Sequence, residues 1–414
     1  MNAEPGGGTA SGSVRWALQR AAPIAITGAG CLCAAGGALA DVMASLYRGE
    51  RAPRPPSRLA TNHKVRFPVF EVPDACLSAE VLRAPGFLRC SHYAACAAGE
   101  ALQDAGLDPA ALRGRRVGVC LGTTVGSALN TEDFHVDYRA GRCPDPAGVR
   151  GFLDADPSGV VMRRFDLAGP RQTVTNACSS GSVAIGEAAA WIAAGLCDVA
   201  VAGGAEMITR VSYDGFAALL ISDPEPCRPF DRSRRGLNLG EGAGVLVLES
   251  DASAAARGAR VRGRLLGYGN ASDAYHLSAP RPDGAALRKA IADALAAGGR
   301  DAAAVAFINA HGTGTAENDR VEGQVFAAAL PGVPYVSTKG YTGHALGAAG
   351  GLEAAITLAC LEHGRVPANA GFREPDPDIP AAPVSANTDV RGDCALSVSV
   401  SFGGNNAALL IGNA

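Results

Sequence analysis

One pattern occurs twice in this chain and constrains its fold more than any other feature. A short run of β-type residues ends at a polar corner, and a glycine and a long alanine-rich segment follow, over residues 173–195 and again over 335–364. In each half a later strand-like run ends in Gly-Gly, at 200–204 and at 398–404. Repetition of the same order of elements predicts two halves of similar architecture.

Short β-type runs also alternate with longer Ala/Leu-rich segments along most of the chain. This alternation is typical of a layered α/β protein whose strands are buried on both faces. We expect a disordered leader at 1–21, an N-terminal half at 22–268 and a C-terminal half at 269–414, with a strand at 260–268 closing the first half and a polar insertion at 126–160.

Composition excludes several classes of function. The chain has 414 residues, 48% of them hydrophobic, and a formal net charge of -3 without a Lys/Arg run. A nucleic-acid or anionic-membrane partner would call for clustered positive charge, so neither is expected. The twelve cysteines include no C-x-x-C pair, which favours reduced thiols in a cytoplasmic protein.

Cys178 stands where a β-branched stretch stops and an alanine-rich segment begins. That pattern places its sulfur at a strand-to-helix corner. Backbone N–H groups at the start of a helix favour a thiolate over a thiol, so the sequence predicts a nucleophile at this position.

Two histidines follow apolar strands of the second half. His311 comes directly after the strand at 305–309, and His344 follows the strand at 334–338. Active sites of open α/β folds lie at such carboxyl ends, although a histidine beside glycines is often only a capping or core residue. Together with Cys178, the two histidines predict a catalytic set.

Three other uses of these residues are less favoured. A zinc site would be expected to show a short C-x-x-C or H-x-x-x-H spacing, so we expect no metal. A papain-like hydrolase would not explain two histidine turns and a lysine. The Gly28-Ala-Gly30 loop has Cys33 where a dinucleotide fingerprint needs Gly or Ala.

Several motifs resemble the β-ketoacyl-[acyl-carrier-protein] synthases of elongation type, over residues 22–412. The motifs are Asn176-Ala-Cys-Ser-Ser-Gly-Ser182, Gly236-Leu-Asn-Leu-Gly-Glu-Gly-Ala-Gly244, Ser272-Asp-Ala-Tyr-His276, His311-Gly-Thr-Gly-Thr315, Lys339-Gly-Tyr-Thr-Gly-His344 with Glu353, and Phe402-Gly-Gly-Asn-Asn406. Their order and spacing match the family. The resemblance implies a thiolase-like, five-layered αβαβα fold with two pseudo-duplicated halves, and a decarboxylative Claisen condensation.

The resemblance also implies roles for the catalytic residues. Cys178 would hold the acyl chain, and His311 and His344 would stabilise the enolate formed when a malonyl thioester loses CO₂. Backbone N–H groups of Cys178 and Phe402 would form the oxyanion hole. Lys339 and its supporting partner Glu353 would organise the histidine turn. Asp319 and Glu322 begin a helix, where carboxylates suit the dipole for structural reasons, and we leave them out of the site.

Further expectations concern the gate and the acyl pocket. By the resemblance, Phe402 is a gate, and Asp273 belongs to a partner loop that closes over the site. Val400-Ser401 stand where the family usually has Phe-Gly, which changes the flexibility of this gate. Thr131 corresponds to an acyl-pocket position at a dimer interface, and a small polar residue there favours a type II polyketide or polyene pathway over fatty acid synthesis.

The expected partners are an acyl carrier protein and a second subunit, in a homodimer or in a heterodimer with a chain-length-factor-like paralogue. No cofactor is expected, because acyl groups arrive on the phosphopantetheine of the carrier. Acidic carriers would dock on basic residues near the pocket. The candidates form two clusters, Arg51, Arg54, Arg58, Lys64 and Arg66, and Arg232, Arg234 and Arg235.

Two alternative functions stay open. The fold also serves as a non-catalytic, chain-length-setting partner in ketosynthase heterodimers, although the presence of Cys178 and both histidines favours the catalytic member. A biosynthetic thiolase would carry a second cysteine at the Phe402-Gly-Gly turn, and Cys394 lies too far upstream to serve.

Overall fold

The computed structural model describes residues 23–77, 88–126, 131–147, 149–150 and 155–414. The predicted leader at 1–21 lies outside the described residues. The strands are β1 (Ile24–Cys33), β2 (Val117–Gly122), β3 (Arg171–Val174), β4 (Val199–Glu206), β5 (Gly242–Glu249), β6 (Gly263–Ser272), β7 (Val305–Asn309), β8 (Tyr335–Val336), β9 (Arg365–Val366), β10 (Thr388–Asp389), β11 (Cys394–Val400) and β12 (Asn405–Asn413). The α-helices are α1 (Leu39–Tyr47), α2 (Arg89–Asp104), α3 (Pro109–Leu112), α4 (Glu132–Arg139), α5 (Pro157–Phe165), α6 (Ser180–Ala193), α7 (Arg210–Ala218), α8 (Asp251–Ala256), α9 (Ala285–Ala297), α10 (Ala316–Ala329), α11 (Lys339–Thr342) and α12 (Ala349–His363).

The two halves share one strand topology. The first half has the strand order β3-β2-β4-β5-β1, and the second half has the order β8-β7-β11-β12-β6. In both, the first three strands of that order run parallel and the last two pair antiparallel. The halves join where β1 pairs with β6. The predicted duplication is therefore confirmed at the level of hydrogen-bonded pairing.

Five layers follow from how the helices pack. Helices α6 and α12 contact each other and strands of both halves, so they form the central layer. Helix α2 covers the outer face of the first half, and α9 covers the outer face of the second. One apolar core surrounds the central helices and two others fill the outer layers. The thiolase-like αβαβα fold predicted from the resemblance is confirmed.

Strand pairing corrects one boundary. We predicted that the strand at 260–268 closes the first half, but β6 pairs with β12 along its whole length and with only three residues of β1. It therefore belongs to the second half. The predicted insertion at 126–160 is also partly helical, because it contains α4 and the start of α5.

Gly28 and Gly30 lie inside β1 and not in a loop after it. A Cβ atom on Gly28 would be 2.1 Å from the Ala101 carbonyl oxygen, and one on Gly30 would be 2.1 Å from that of Ala97. These glycines let helix α2 lie directly on the strand, which accounts for them without a nucleotide.

The two central helices touch at their N-terminal ends. A Cβ atom on Gly181 would lie 2.6 Å from the Gly351 backbone nitrogen, and one on Gly350 would lie 2.3 Å from the Ser182 hydroxyl oxygen. Only glycine permits this approach. Because Cys178 precedes α6 and His344 precedes α12, the contact brings both reactive side chains to one place.

No helix of the described ranges is long and apolar enough to cross a membrane.

Candidate active site

The nucleophile turn joins β3 to α6. Ala177 has φ +47°, a left-handed conformation that costs a non-glycine residue roughly 1–2 kcal/mol. The Ser180 hydroxyl compensates, because it donates to the Ala177 carbonyl at 2.6 Å and accepts from the Asn176 N–H at 2.7 Å. This sharp turn directs Cys178 into a cavity, where it is only 4% exposed.

Cys178, His311 and His344 meet in this cavity. The Cys178 sulfur lies 3.1 Å from Nε2 of His344. The two imidazole rings stand nearly perpendicular, at 87°, with their centroids 5.0 Å apart. The sequence placed these side chains at separate strand ends, and the fold brings all three together.

A buried ion pair supports His311. The Lys339 ammonium lies 3.1 Å from Nδ1 of His311 and pairs with the Glu353 carboxylate, which is supplied by α12. An ammonium can only donate, so Nδ1 accepts and the proton of the neutral ring is on Nε2. Lys339 thereby sets the tautomer of His311.

Burial controls protonation in the site. It lowers the pKa values of His311 and His344 well below the usual range, and the Lys339 ammonium lowers both further. Both rings are therefore neutral at physiological pH. Burial raises the pKa of the Glu353 carboxyl to about 7, and Lys339 opposes that rise.

Desolvation works against the thiolate form of Cys178 that a helix start was expected to favour. Burial raises the pKa of its thiol to about 11, against a smaller lowering by the Lys339 ammonium and by the backbone N–H of Phe402. Helix α6 begins at Ser180, two residues later, and desolvation is the largest influence on the thiol. Cys178 is a thiol in the free protein.

The same three side chains are also close enough to bind a metal ion. The Cys178 sulfur and one ring nitrogen of each histidine lie within 4.8 Å of one another, near enough to hold one ion. Sequence spacing alone therefore does not separate the two uses. The Lys339 ammonium against His311 adds positive charge that opposes a bound cation.

Phe402 closes one side of the cavity. Its ring stacks on Phe216 of α7, with centroids 5.5 Å apart and planes at 11°. Gly403 and Gly404, at φ +80° and +78°, form the turn behind it. Asp273 binds this turn, since its backbone N–H donates to the Gly404 carbonyl at 2.8 Å. The predicted gate and its partner loop are thus in contact.

The cavity is apolar near the sulfur and polar towards solvent. Apolar walls come from α7 and the residues after it and from the end of β11, and polar groups come from Arg235, from the residues after Asp273, and from the loop and helix start after His311. The side chains lining it include Phe216, Ile221, Leu237, Val400 and Phe402 on the apolar side, and Arg235, Ser278, Thr313, Thr315 and Asn318 on the polar side.

Comparison with known proteins identifies this arrangement. Residues 21–254 match the family model of the β-ketoacyl synthase N-terminal domain, and residues 262–373 match that of the C-terminal domain. The chain belongs to the β-ketoacyl synthase family.

Individual relatives agree. The 3-oxoacyl-[acyl-carrier-protein] synthase 2 of Synechocystis is 36% identical over 405 residues, which cover 93% of this chain and 97% of that protein. The ketoacyl synthase alpha subunit of tetracenomycin polyketide synthase from Streptomyces glaucescens is 36% identical over 78% of this chain and 80% of its own length. The solved ishigamide ketosynthase/chain length factor has a TM-score of 0.89 at 33% identity, over 95% of this chain and 100% of that one.

Two carboxylates omitted from the predicted site hold the His311 loop of this β-ketoacyl synthase. Glu322 accepts from the backbone N–H groups of His311 and Gly312 at 2.8 and 2.6 Å. Asp319 accepts from the Gly314 N–H at 3.2 Å. Burial raises the pKa of the Glu322 carboxyl to about 8, and the negative charge of Asp319 adds to that rise. The signal available in the sequence was a glycine-rich turn whose N–H groups need acceptors.

A third such carboxylate, Glu206 at the end of β4, was not singled out. It accepts from the Thr124 N–H at 2.5 Å and the Gly347 N–H at 3.2 Å. Glu206 therefore ties the loop after β2 to the turn that follows His344. Its position in a buried strand end was the only available signal.

The predicted docking residues separate into two groups. Lys64, Arg66 and Arg232 are exposed, and Arg235 is half-exposed at the cavity mouth. Arg234 was wrong as a docking residue, because its side chain is only 5% exposed and forms ion pairs with Asp319 and Asp376.

The other residues singled out in the sequence lie away from the cavity mouth. Arg51 donates to the Cys227 carbonyl, and Arg58 pairs with buried Glu241, so both face inward. Thr131 is half-buried at the start of α4 and is not among the described residues that line the cavity. Cys394 is buried at the start of β11, where its thiol donates to the Ala304 carbonyl.

We expect Lys339→Met to slow alkylation of Cys178. Removing the ammonium raises the pKa of the thiol further, so the thiolate fraction at pH 8 should fall by about tenfold for each pKa unit. Peptide mass spectrometry after timed iodoacetamide treatment measures the rate at Cys178. In the unaltered protein this rate should rise about tenfold per pH unit between roughly pH 7 and 10.

The matched control is Lys289→Met, which removes an exposed lysine paired with Asp293 on α9. Its alkylation profile should be that of the unaltered protein. Equal rates for the Lys339→Met and Lys289→Met proteins at pH 8 would show that the ammonium does not act on the sulfur.

Proposed function

We propose that this β-ketoacyl synthase carries an acyl chain on Cys178 and condenses it with malonyl-acyl carrier protein, giving a β-ketoacyl-acyl carrier protein. The observation that carries the proposal is one buried thiol that shares a cavity with two neutral imidazoles. The Cys178 sulfur and one ring nitrogen of each histidine lie within 4.8 Å of one another. A non-catalytic chain-length subunit would have no use for this set.

Acyl transfer comes first. The Cys178 sulfur attacks the thioester carbonyl of the acyl carrier, the bond to the carrier sulfur breaks, and the thiol proton ends on the departing carrier. The Nε2–H of His344, 3.1 Å from the sulfur, donates a hydrogen bond to the thiolate as it forms, and the thiol proton reaches the departing carrier sulfur through solvent. The backbone N–H groups of Cys178 and Phe402 stabilise the oxyanion.

Condensation follows on the same sulfur. The malonyl thioester loses CO₂, and the electron pair of the broken C–C bond forms an enolate whose oxygen accepts from Nε2 of His311 and of His344. The carbanion carbon attacks the carbonyl held on Cys178, and the sulfur leaves and takes a proton from solvent. Both rings must be neutral. A neutral imidazole donates a hydrogen bond to the enolate oxygen and keeps its proton, whereas an imidazolium would act as an acid and protonate the enolate.

Lys339 and Glu353 act as positioning residues. The ammonium keeps Nδ1 of His311 as an acceptor, and the carboxylate holds the ammonium. No cofactor is needed in this scheme, since the phosphopantetheine arm of the carrier delivers both substrates.

Intact-mass analysis after incubation with an acyl carrier thioester tests the scheme. We expect Cys178→Ala to form no adduct. His311→Ala should still form the adduct but decarboxylate malonyl carrier about 10²- to 10³-fold more slowly, because it loses an enolate donor. The control is His363→Ala, which alters an exposed histidine at the end of α12. Unaltered protein that gains no acyl mass would instead support the non-catalytic partner.

We place the carrier at the cavity mouth, where Arg235 lines the opening and Lys64, Arg66 and Arg232 are exposed. Arg66 lies near Tyr213 of α7, the helix that also presents Phe216 to the cavity. An acidic carrier would meet positive charge on its approach to the opening.

Charge reversal tests this surface. We expect Arg235→Glu with Arg232→Glu to raise the KM for acyl carrier several-fold at low salt, with the difference shrinking as salt screens the charges. Arg300→Glu, an exposed site on the loop that leads into β7, should leave KM unchanged. A double variant with the KM of the unaltered protein at every salt concentration would remove the proposed surface.

We place the protein in a type II polyketide or polyene pathway, with a paralogous chain-length subunit as its partner. The similarity to the tetracenomycin polyketide synthase subunit supports a polyketide pathway, and the similarity to the ishigamide ketosynthase/chain length factor supports that partner. The edge strand β3 has no second neighbour among the described strands and offers a surface for that subunit. We place the protein in the cytoplasm with its carriers, which cell fractionation checks.

Purified protein offered matched saturated and polyunsaturated acyl carriers tests the pathway, alone and with a co-expressed chain-length paralogue. We expect faster elongation of the polyunsaturated set, and native mass spectrometry should detect the dimer that is active. Equal or faster elongation of the saturated carriers would favour fatty acid synthesis.

A further inference from the structure

The hydroxyl of Ser401 lies between the gate and the nucleophile turn. Its oxygen is 3.2 Å from the Asn176 carbonyl oxygen and 2.9 Å from the carbonyl oxygen of Phe402. The side chain is buried at 7% exposure and borders the cavity. A hydroxyl has one proton, so it can donate to only one of these carbonyls at a time.

The Asn176 side of this contact is fixed. Its carbonyl also accepts from the Ser179 hydroxyl at 3.0 Å, and its N–H donates to Ser180. Ser180 in turn contacts the carbonyl of Thr123, the residue directly after β2. The turn that carries Cys178 is therefore anchored to the central helix and to the sheet.

The Ser401 side has the features of a movable segment. Phe402 is half-buried, and the two glycines after it hold left-handed conformations. The turn is held by bonds from the Gly403 N–H to Leu277, from the Gly404 N–H to Ser401, from the Asp273 N–H and the Asn406 amide to Gly404, and from the Ser401 N–H to Asn405. Rotation about such glycines would move the ring away from Phe216.

We propose that Ser401 is a latch that ties the gate to the nucleophile turn. With the gate closed, its hydroxyl can donate to Asn176. When the turn swings away, that acceptor stays behind and only the Phe402 carbonyl, which moves with the turn, remains. Ser401 thus favours the closed position and slows loading of Cys178, the step that needs the ring displaced. This inference rests on the proposed acyl transfer to Cys178.

Ser401→Ala removes the hydroxyl and little else. We expect single-turnover acylation of Cys178 to speed up by at most about twofold, because the hydroxyl has two alternative acceptors when the gate is closed and keeps one of them when it opens, while malonyl decarboxylation stays unchanged. Ser401→Gly should exceed this, because glycine adds backbone freedom. Ser397→Ala is the matched control, since Ser397 lies on β11, which ends just before Ser401, and its buried hydroxyl finds no partner among the described residues.

Hydrogen–deuterium exchange of the free protein gives a readout that does not depend on activity. Amides of Gly403 and Gly404 should exchange faster in Ser401→Ala than in Ser397→Ala. Unchanged exchange would overturn the latch whatever the acylation rates, and so would slower acylation together with slower decarboxylation. Absence of any adduct in the unaltered protein would overturn the proposed acyl transfer instead, while faster exchange in Ser401→Ala would still support the latch.

Discussion

The contact between the two central helices is the constraint on which the rest of the structure depends. Gly181 of α6 lies against Gly351 of α12, with no room for a side chain on either. Each helix begins just after a reactive residue, so the contact at their ends sets the separation of Cys178 and His344. The duplicated fold, with one such helix from each half, makes the two N-terminal ends meet in the middle of the molecule.

Burial then decides the chemistry of the site. Desolvation disfavours every charged form, and it keeps both imidazoles neutral and the Cys178 sulfur protonated. Lys339 adds positive charge close to these groups, with Glu353 as its counterion. The rings are therefore prepared as hydrogen-bond donors before substrate binds, whereas the nucleophile forms only as its proton leaves. An exposed thiol at a helix start would instead be favoured as a thiolate before substrate binds.

Buried carboxylates hold the catalytic loops in place. Glu322 and Asp319 bind the N–H groups of the His311 loop, and Glu206 joins the loop after β2 to the turn after His344. Such loops leave many backbone donors without a secondary-structure partner, and a buried acceptor is the physical answer to that need. The gate differs, because Gly403 and Gly404 are bonded by backbone groups and by the Asn406 amide, and not by a buried carboxylate.

Local pattern alone predicted the alternation of strands and helices, the repeat around Cys178 and His344, and the strand-end position of His311, because each depends on side-chain periodicity and on neighbours in the chain. The allocation of β6 to the second half, the inward ion pairs of Arg234, the raised pKa of Cys178 and the stack of Phe216 on Phe402 depended on tertiary structure. These properties come from strand pairing, desolvation and contacts between residues far apart in the chain, and no local pattern encodes them. The sequence by itself determined which reactive groups the chain carries, and the packing of the two halves decided their distances, their protonation and which of them reach solvent.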